Sequence, residues 1–272
     1  MLYAAAAIRQ AFSLSSAGSH AFPRQPLRFV SQRSAARSRS FMPPQASEAT
    51  TLGSKRKMPV QIGTHDGSFH CDEALGCFLL QHTAAYENAE VVRTRDPDTL
   101  SQLDIVIDVG AVYAPETNRF DHHQRGFEEI FGHGFVTKLS SAGLVYKHFG
   151  REIVARALEF PADDARVERI YLKVYKSFIE AVDGIDNGVN AWESDKPARY
   201  VDNTGLSARV GKLNPAWNEE STPPVQLTQF HKGMALAGGE FMDAVKYYGL
   251  SWLPARQYVE EALDTAKAVH PS

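Results

Sequence analysis

Two cysteines among 272 residues, Cys71 and Cys77, cannot build the disulfide framework on which small secreted domains depend. A reducing or matrix-like compartment suits such a chain. No stretch approaches eighteen uncharged apolar residues, so no transmembrane helix is expected. No Cys-x-x-Cys pair occurs, which argues against structural zinc, and no repeat appears at any period. Residues 1–47 lack lysine and acidic residues altogether while holding six arginines, nine serines and ten alanines. That is the composition of an import leader. The rest carries 23 Lys and Arg against 32 Asp and Glu, a charge of −9 with histidine neutral. So acidic a body shows no basic stripe of the kind that sheathes nucleic acid generally.

What is present is ordinary for a soluble globular protein: 43% apolar residues, 22% charged residues and a mean hydropathy of −0.30. The length is that of one or two domains. Folded sequence is expected from about Pro59, after a basic run, Lys55-Arg56-Lys57, of the type nuclear import machinery reads. Val60–Thr64 reads as a strand, Asp72–Gln81 as a helix burying Leu75, Phe78, Leu79 and Leu80, and Glu90–Thr94 and Asp104–Val109 as further strands. Strand, helix, strand, loop, strand predicts an α/β fold with a largely parallel sheet flanked by helices, whose ligand sites lie at the carboxyl ends of the strands.

Val167, Ile170, Tyr171, Val174, Tyr175, Phe178, Ile179 and Val182 predict one long amphipathic helix, stopped by Asn187-Gly188. Asp183 and Asp186, three apart, fall on roughly one side of it. Helical segments are expected around Phe241–Tyr248 and after Pro254, with Trp217 and Trp252 as packing anchors.

Candidate chemistry concentrates in three stretches. Thr64-His65-Asp66-Gly67-Ser68-Phe69-His70-Cys71-Asp72-Glu73 follows the first strand and can converge several ligands on one point. Asp108 follows an apolar strand, a placement that costs solvation unless a cation or donors meet it. In Asp121-His122-His123, adjacent histidines on extended backbone face opposite ways, so one can bind a metal while the other faces a phosphate. Together these give His65, His70, Asp72, Asp108, His122 and either Asp183 or Asp186. Imidazole mixed with carboxylate suits manganese or another borderline divalent ion better than calcium. Crowded carboxylates raise one another's pKa unless cations neutralise them, and two divalent ions would do so.

Other residues have plainer readings. His82, His133 and His148 are assigned to surface or packing, Glu73 to a first helical turn favoured by the dipole, and Cys71 lacks the base and oxyanion arrangement a nucleophile needs. Arg125 and Lys138 read either as phosphate contacts or as solvated charges.

The order of these motifs resembles that of the DHH phosphoesterase superfamily. More closely, Ile62–Ala74, Arg93-Thr94-Arg95-Asp96, Phe120–Arg125, Thr137–Gly143, Ala181–Gly188, Leu206-Ser207-Ala208-Arg209-Val210 and Ser251–Arg256 resemble the eukaryotic melanocyte-proliferating-gene family, from about residue 60 to about 266. The resemblance implies a 3′-to-5′ RNA exonuclease of mitochondrial matrix and nucleus, with the cytoplasm also open to it. It further implies a DHH-like α/β metal-binding domain over 59–200, after a leader (1–47) and a basic linker (48–58). His65, Asp72, Asp108 and His122 would be ligands, Asp108 bridging two ions, with Mn2+ favoured over Mg2+. His70 stands where the superfamily offers a second aspartate, and is a ligand by position. Asp121 would orient the histidine pair, His123 would face the scissile phosphate, and Arg125, Lys138 and Arg209 would contact substrate.

Chains of that family continue into a Gly-rich C-terminal segment, so 201–272 is expected to be the helical start of a second lobe that this chain does not complete. The ligands all precede residue 190, and metal binding is expected without it. Two other functions stay open at this level: hydrolysis of a small phosphorylated metabolite or short oligonucleotide, and a non-catalytic metal-binding role in RNA processing.

Overall fold

The computed structural model describes residues 59–192, 196 and 199–269. The Arg-rich leader and the Lys55–Lys57 run lie outside the described residues. Five strands form the main sheet: β1 (Gln61–Thr64), β2 (Glu90–Arg93), β3 (Ile105–Ile107), β4 (Tyr113–Ala114) and β5 (Arg119–Phe120), in the order β2-β1-β3-β5-β4. All neighbours run parallel except β4 against β5. Alternation along β3 explains the layering: Ile105 and Ile107 face the main core with Ile62 and Phe120, while Val106 faces a smaller cluster with Leu100, Leu103 and Val109. The fold class is thus as the sequence predicts, an α/β sheet flanked by helices with a helical C-terminal part.

Helix α1 (Cys71–Gln81) lies against β3 and carries an almost wholly buried sequence. The loop expected between β2 and β3 contains a short helix, α2 (Pro97–Gln102), started by Asp96, whose side chain accepts from Thr99 N at 3.0 Å, and by Pro97. A hairpin, β6 (Ile130–Gly132) and β7 (Phe135–Lys138), leads into α3 (Ser141–Ala157).

The predicted long helix is α4 (Ala165–Val174), a π turn over Tyr175–Ile179 and α5 (Glu180–Asp186), in one continuous run. Its apolar stripe is buried as expected, with Phe178 half-buried. The periodicity does not register the π turn, because Val174, Tyr175, Phe178, Ile179 and Val182 keep the three-and-four spacing straight through it.

After α6 (Leu206–Gly211), the helix expected near Phe241 is the 25-residue α7 (Pro223–Tyr247), opened by Pro223 and Pro224. A second π turn (Tyr248–Trp252) joins it to α8 (Leu253–Val269). Helix α7 packs on α1 where Gly238 meets Phe78; a Cβ at Gly238 would lie 2.1 Å from that ring. Of the two tryptophans expected as anchors, Trp252 is half-buried, edge-on to Tyr248. Trp217 is 97% exposed and anchors nothing, because its segment between α6 and α7 is almost wholly solvated.

Candidate metal centre

The carboxyl ends of β1, β3 and β5 and the start of α1 surround a cleft of about 680 Å³. Asp108, one residue past β3, sits at its floor in a left-handed conformation, φ 58°. Asp is among the few residues that tolerate this region, and such strain persists where surrounding contacts over-determine it. Three contacts do so here. Ser141 Oγ donates to Oδ1 at 3.0 Å, His122 Nε2 lies 3.3 Å from Oδ1, and His65 Nε2 lies 3.3 Å from Oδ2. Each oxygen of Asp108 therefore faces a different histidine. Burial works to raise its pKa, but the two imidazoles outweigh burial and hold it well below the usual carboxylate range.

The loop after β1 brings His65 to the same point. Its Nδ1 donates to the Asp66 carbonyl at 2.9 Å, leaving Nε2 toward Asp108 and toward Glu73 Oε1 at 3.0 Å. Glu73 does serve the first turn of α1, accepting from His70 N at 2.8 Å, and it also touches His65. The signal available was the three-residue spacing from His70, which is that of a reciprocal cap. Burial opposes protonation of His65, yet hydrogen bonds to Asp108 and Glu73 push it up to about 10. Asp72, on the next position of α1, is 1% exposed, and neither of its carboxylate oxygens has a hydrogen-bond partner. Burial first, then the charges of Asp108, Asp186 and Glu73, raise it well above the ordinary carboxyl range.

Asp121, beyond β5, holds the histidine pair. Its Oδ1 accepts from His122 N (2.7 Å), His123 N (3.2 Å) and His123 Nδ1 (2.7 Å), and its Oδ2 from Ala111 N (2.6 Å). The two rings do not face opposite ways as extended backbone would have them: Asp121 gathers both residues past the end of β5, their ring centroids lie 4.3 Å apart, and His122 Nε2 and His123 Nδ1 both approach Asp108 Oδ1, at 3.3 and 3.6 Å. They differ in exposure, His122 being buried while the His123 side chain is 60% exposed in the cleft. Asp121 raises the pKa of His123.

Asp183 and Asp186 part company. Asp186 Oδ2 lies 3.2 Å from His122 Nε2, and Asp186, Asp72 and exposed His70 bring ligand atoms within 4.8 Å of one another. Asp183 is fully buried away from them, accepting from Ser140 N (3.0 Å), Ser140 Oγ (2.9 Å) and Tyr175 Oη (3.1 Å). Gly143 of α3 is the neighbour that makes room, since a Cβ there would meet Asp183 Oδ1 at 2.2 Å. Burial pushes Asp183 up to about 7.

The expected cationic contacts do not line the cleft. Arg125 is exposed elsewhere, the Lys138 ammonium stands 5.9 Å from the Phe127 ring, and Arg209 is paired with Glu240. Arg95, to which sequence reasoning gave no role, does line it, 3.3 Å from Asp66. Cys71 also lines it, but burial pushes its thiol up to about 12, so it is no thiolate at neutral pH.

A divalent cation fits this donor set. The buried Asp72 oxygens and His122 Nε2 have no hydrogen-bond partner, a condition that costs solvation unless a cation meets them. Imidazole nitrogens and carboxylate oxygens in this mixture are ligands for borderline divalent metals. The cluster could hold metal ions.

A family model described as "Uncharacterised protein family (UPF0160)", short name MYG1 exonuclease, matches residues 61–272. The chain belongs to the MYG1 family. Among curated members, the "MYG1 exonuclease" of Mus musculus is 51% identical over 212 residues, 75% of this chain and 54% of that protein. The "MYG1 exonuclease" of Homo sapiens is 47% identical over 240 residues, 86% of this chain and 61% of that protein. The "MYG1 protein" of Dictyostelium discoideum is 46% identical over 211 residues, 78% and 64% respectively. The chain thus spans 54% to 64% of the length of these MYG1 relatives. No solved structure matches. Names of MYG1 relatives support a nuclease-type function in the family.

Proposed function

We propose that the chain is a divalent-metal-dependent phosphodiesterase that removes nucleotides from the 3′ end of RNA. The observation that carries this is Asp108, a buried carboxylate in strained backbone whose two oxygens each face a histidine, on the floor of an open cleft. The order of its motifs, resembling the DHH phosphoesterases, and the exonuclease names of its relatives support the same reading. The Arg-rich leader and the Lys55–Lys57 run point to work in mitochondrial matrix and nucleus.

His65, Asp72, Asp108, His122 and Asp186 would hold divalent cations, with His70 as a further donor at the rim; the donor mixture favours manganese over magnesium. Bound there, such ions supply a water activated near neutral pH and neutralise charge on the phosphodiester. The chain's own side chains do the rest. Asp121 fixes His123 through Nδ1, so His123 turns Nε2 to the cleft, and Asp121 shifts its pKa upward, which favours a proton at the atom that would face a phosphate oxygen. Arg95 offers a guanidinium on the same wall for the substrate's phosphate. Ser141 and Ala111 N take no part in the reaction but hold Asp108 and Asp121 in place.

The test is hydrolysis of 3′-labelled single-stranded RNA with added Mn2+, comparing the chain with Asp108→Asn. Release of the label as a single nucleotide, lost in the variant, is the expected result. Dinucleotides outcompeting long RNA would reassign the substrate to small phosphoesters. Metal binding with no turnover on any phosphodiester would overturn the enzyme reading in favour of an accessory factor.

A further inference from the structure

Asn187, at the end of α5, does more than stop a helix. Its Nδ2 donates to the Lys138 carbonyl at 3.0 Å and to the Asp183 carbonyl at 2.9 Å. Both amide hydrogens are thereby engaged by oxygens that can only accept. This fixes which way the amide faces, and leaves Oδ1 toward His122, 3.3 Å from Nδ1. An amide oxygen does not donate, so His122 Nδ1 carries the hydrogen, and the neutral ring then has its lone pair on Nε2. Nε2 is the buried atom without a hydrogen bond that lies between Asp108 and Asp186.

Two other histidines of the site are fixed through Nδ1 by their own loops, His65 by the Asp66 carbonyl and His123 by Asp121. His122 is held from a different element altogether.

We propose that Asn187 is a positioning residue that sets the tautomer of His122 and so presents Nε2 as a ligand to a divalent cation. The proposal rests on reading the cluster as a metal centre. Because Asn187 takes its own orientation from the last residue of β7 and from α5, the ligand is assembled only when those two elements are docked. The hydrogen-bonding partners of metal-bound histidines act in this way in general, fixing ring orientation and tautomer.

Asn187→Ala and Asn187→Asp in the full chain test it, with two readouts besides hydrolysis. One is Mn2+ affinity, from the paramagnetic resonance signal of the free ion. The other is the 1H–15N spectrum of the histidine rings in the Zn2+-loaded protein. Wild type is expected to show a protected Nδ1–H on His122 with Nε2 on the metal. Asn187→Ala should lose that protection and roughly 10–100-fold in Mn2+ affinity. Asn187→Asp keeps an acceptor for His122 while losing the donor to both carbonyls, so it should melt below wild type yet bind Mn2+ more tightly than Asn187→Ala. An Asn187→Ala form with unchanged affinity and an intact Nδ1–H signal would overturn the proposal alone. So would an Asn187→Asp form as weak as Asn187→Ala, which would reduce the residue to packing. Wild type that binds no Mn2+ would overturn the metal-centre reading and this proposal with it.

Discussion

At Asp108 the left-handed backbone costs an L-residue roughly 1–2 kcal/mol, less for Asp and Asn than for others, because their short polar side chains bond locally. Two substitutions therefore separate chemistry from folding. Asp108→Asn keeps that backbone, so Mn2+-dependent turnover should fall roughly 100-fold or more, since even outer partners of metal ligands are worth 10–100-fold, and the melting temperature should fall only by what the lost charge facing His65 and His122 contributes. Asp108→Ala should lose the activity too, and should melt lower because alanine tolerates that φ poorly. Wild-type turnover by Asp108→Asn at saturating Mn2+ would sink the assignment. The two acids three residues apart on α5 make a second contrast. Asp186→Asn should weaken Mn2+ binding with little effect on stability, its side chain being partly exposed beside His122. Asp183→Ala strands the Ser140 amide and the Tyr175 hydroxyl in the core and should cost at least about 2 kcal/mol, with the ligand set left intact. Calorimetric melts and Mn2+ titrations of both variants decide this; Mn2+ affinity lost with Asp183 and kept without Asp186 would reverse the two roles.

Among the elements, the contact of α7 on α1 makes the sharpest prediction, through two neighbouring glycines of opposite sign. A Cβ on Gly238 would overlap the Phe78 ring, while one on Gly239 meets nothing within 4 Å. Gly238→Ala should destabilise, because overpacking of about 1–3 kcal/mol exceeds a helical gain of about 1 kcal/mol. Gly239→Ala collects that gain alone and should raise the melting temperature; equal shifts for the two would mean that α7 does not sit on Phe78. Contacts of this kind explain what was legible beforehand. β1, α1, β2 and β3 were readable because their apolar runs have the period of the element and pack locally. That the loop after β1, Asp108 and the Asp121–His123 triplet lie together was readable because polar residues at strand ends are costly unless donors or a cation meet them. Helix α2 was too short for periodicity to register, and β4 and β5 hold two residues each. The choice between Asp183 and Asp186 depended on Ser140, 43 residues away, and on the turn of a helix that carries a π bulge. Nothing in a linear motif says that Arg95 faces the cleft while Arg209 meets Glu240 on α7.

For the whole molecule, the cluster links stability, protons and metal. In the metal-free protein His65 and His122 are raised to about 10 from 6.5, so the stabilisation they provide is fully present below pH 6.5 and is lost as pH rises through 10. Asp72 and Asp183 are raised as well, so between about pH 4 and 7 the folded chain again holds more protons than the unfolded one, and stability again falls as pH rises. Asp108, lowered, works the other way, its stabilisation being lost only as pH falls below the ordinary carboxyl range. A divalent ion needs neutral imidazole and ionised carboxylate, so it must displace those protons, and its affinity should climb with pH. Melting curves from pH 6 to pH 9 check this directly. With a chelator present, the melting temperature should fall steadily across the range. With Mn2+ at about 100 times its dissociation constant, the gain is about 2.7 kcal/mol, or roughly 5–10 °C for a domain of this size. At a fixed Mn2+ concentration that gain should widen as pH rises, because each proton no longer present is one the ion need not expel. A shift of the same size at pH 6 and pH 9 would mean that Mn2+ binds away from His65 and His122, and that the protons of the cluster are not in its path.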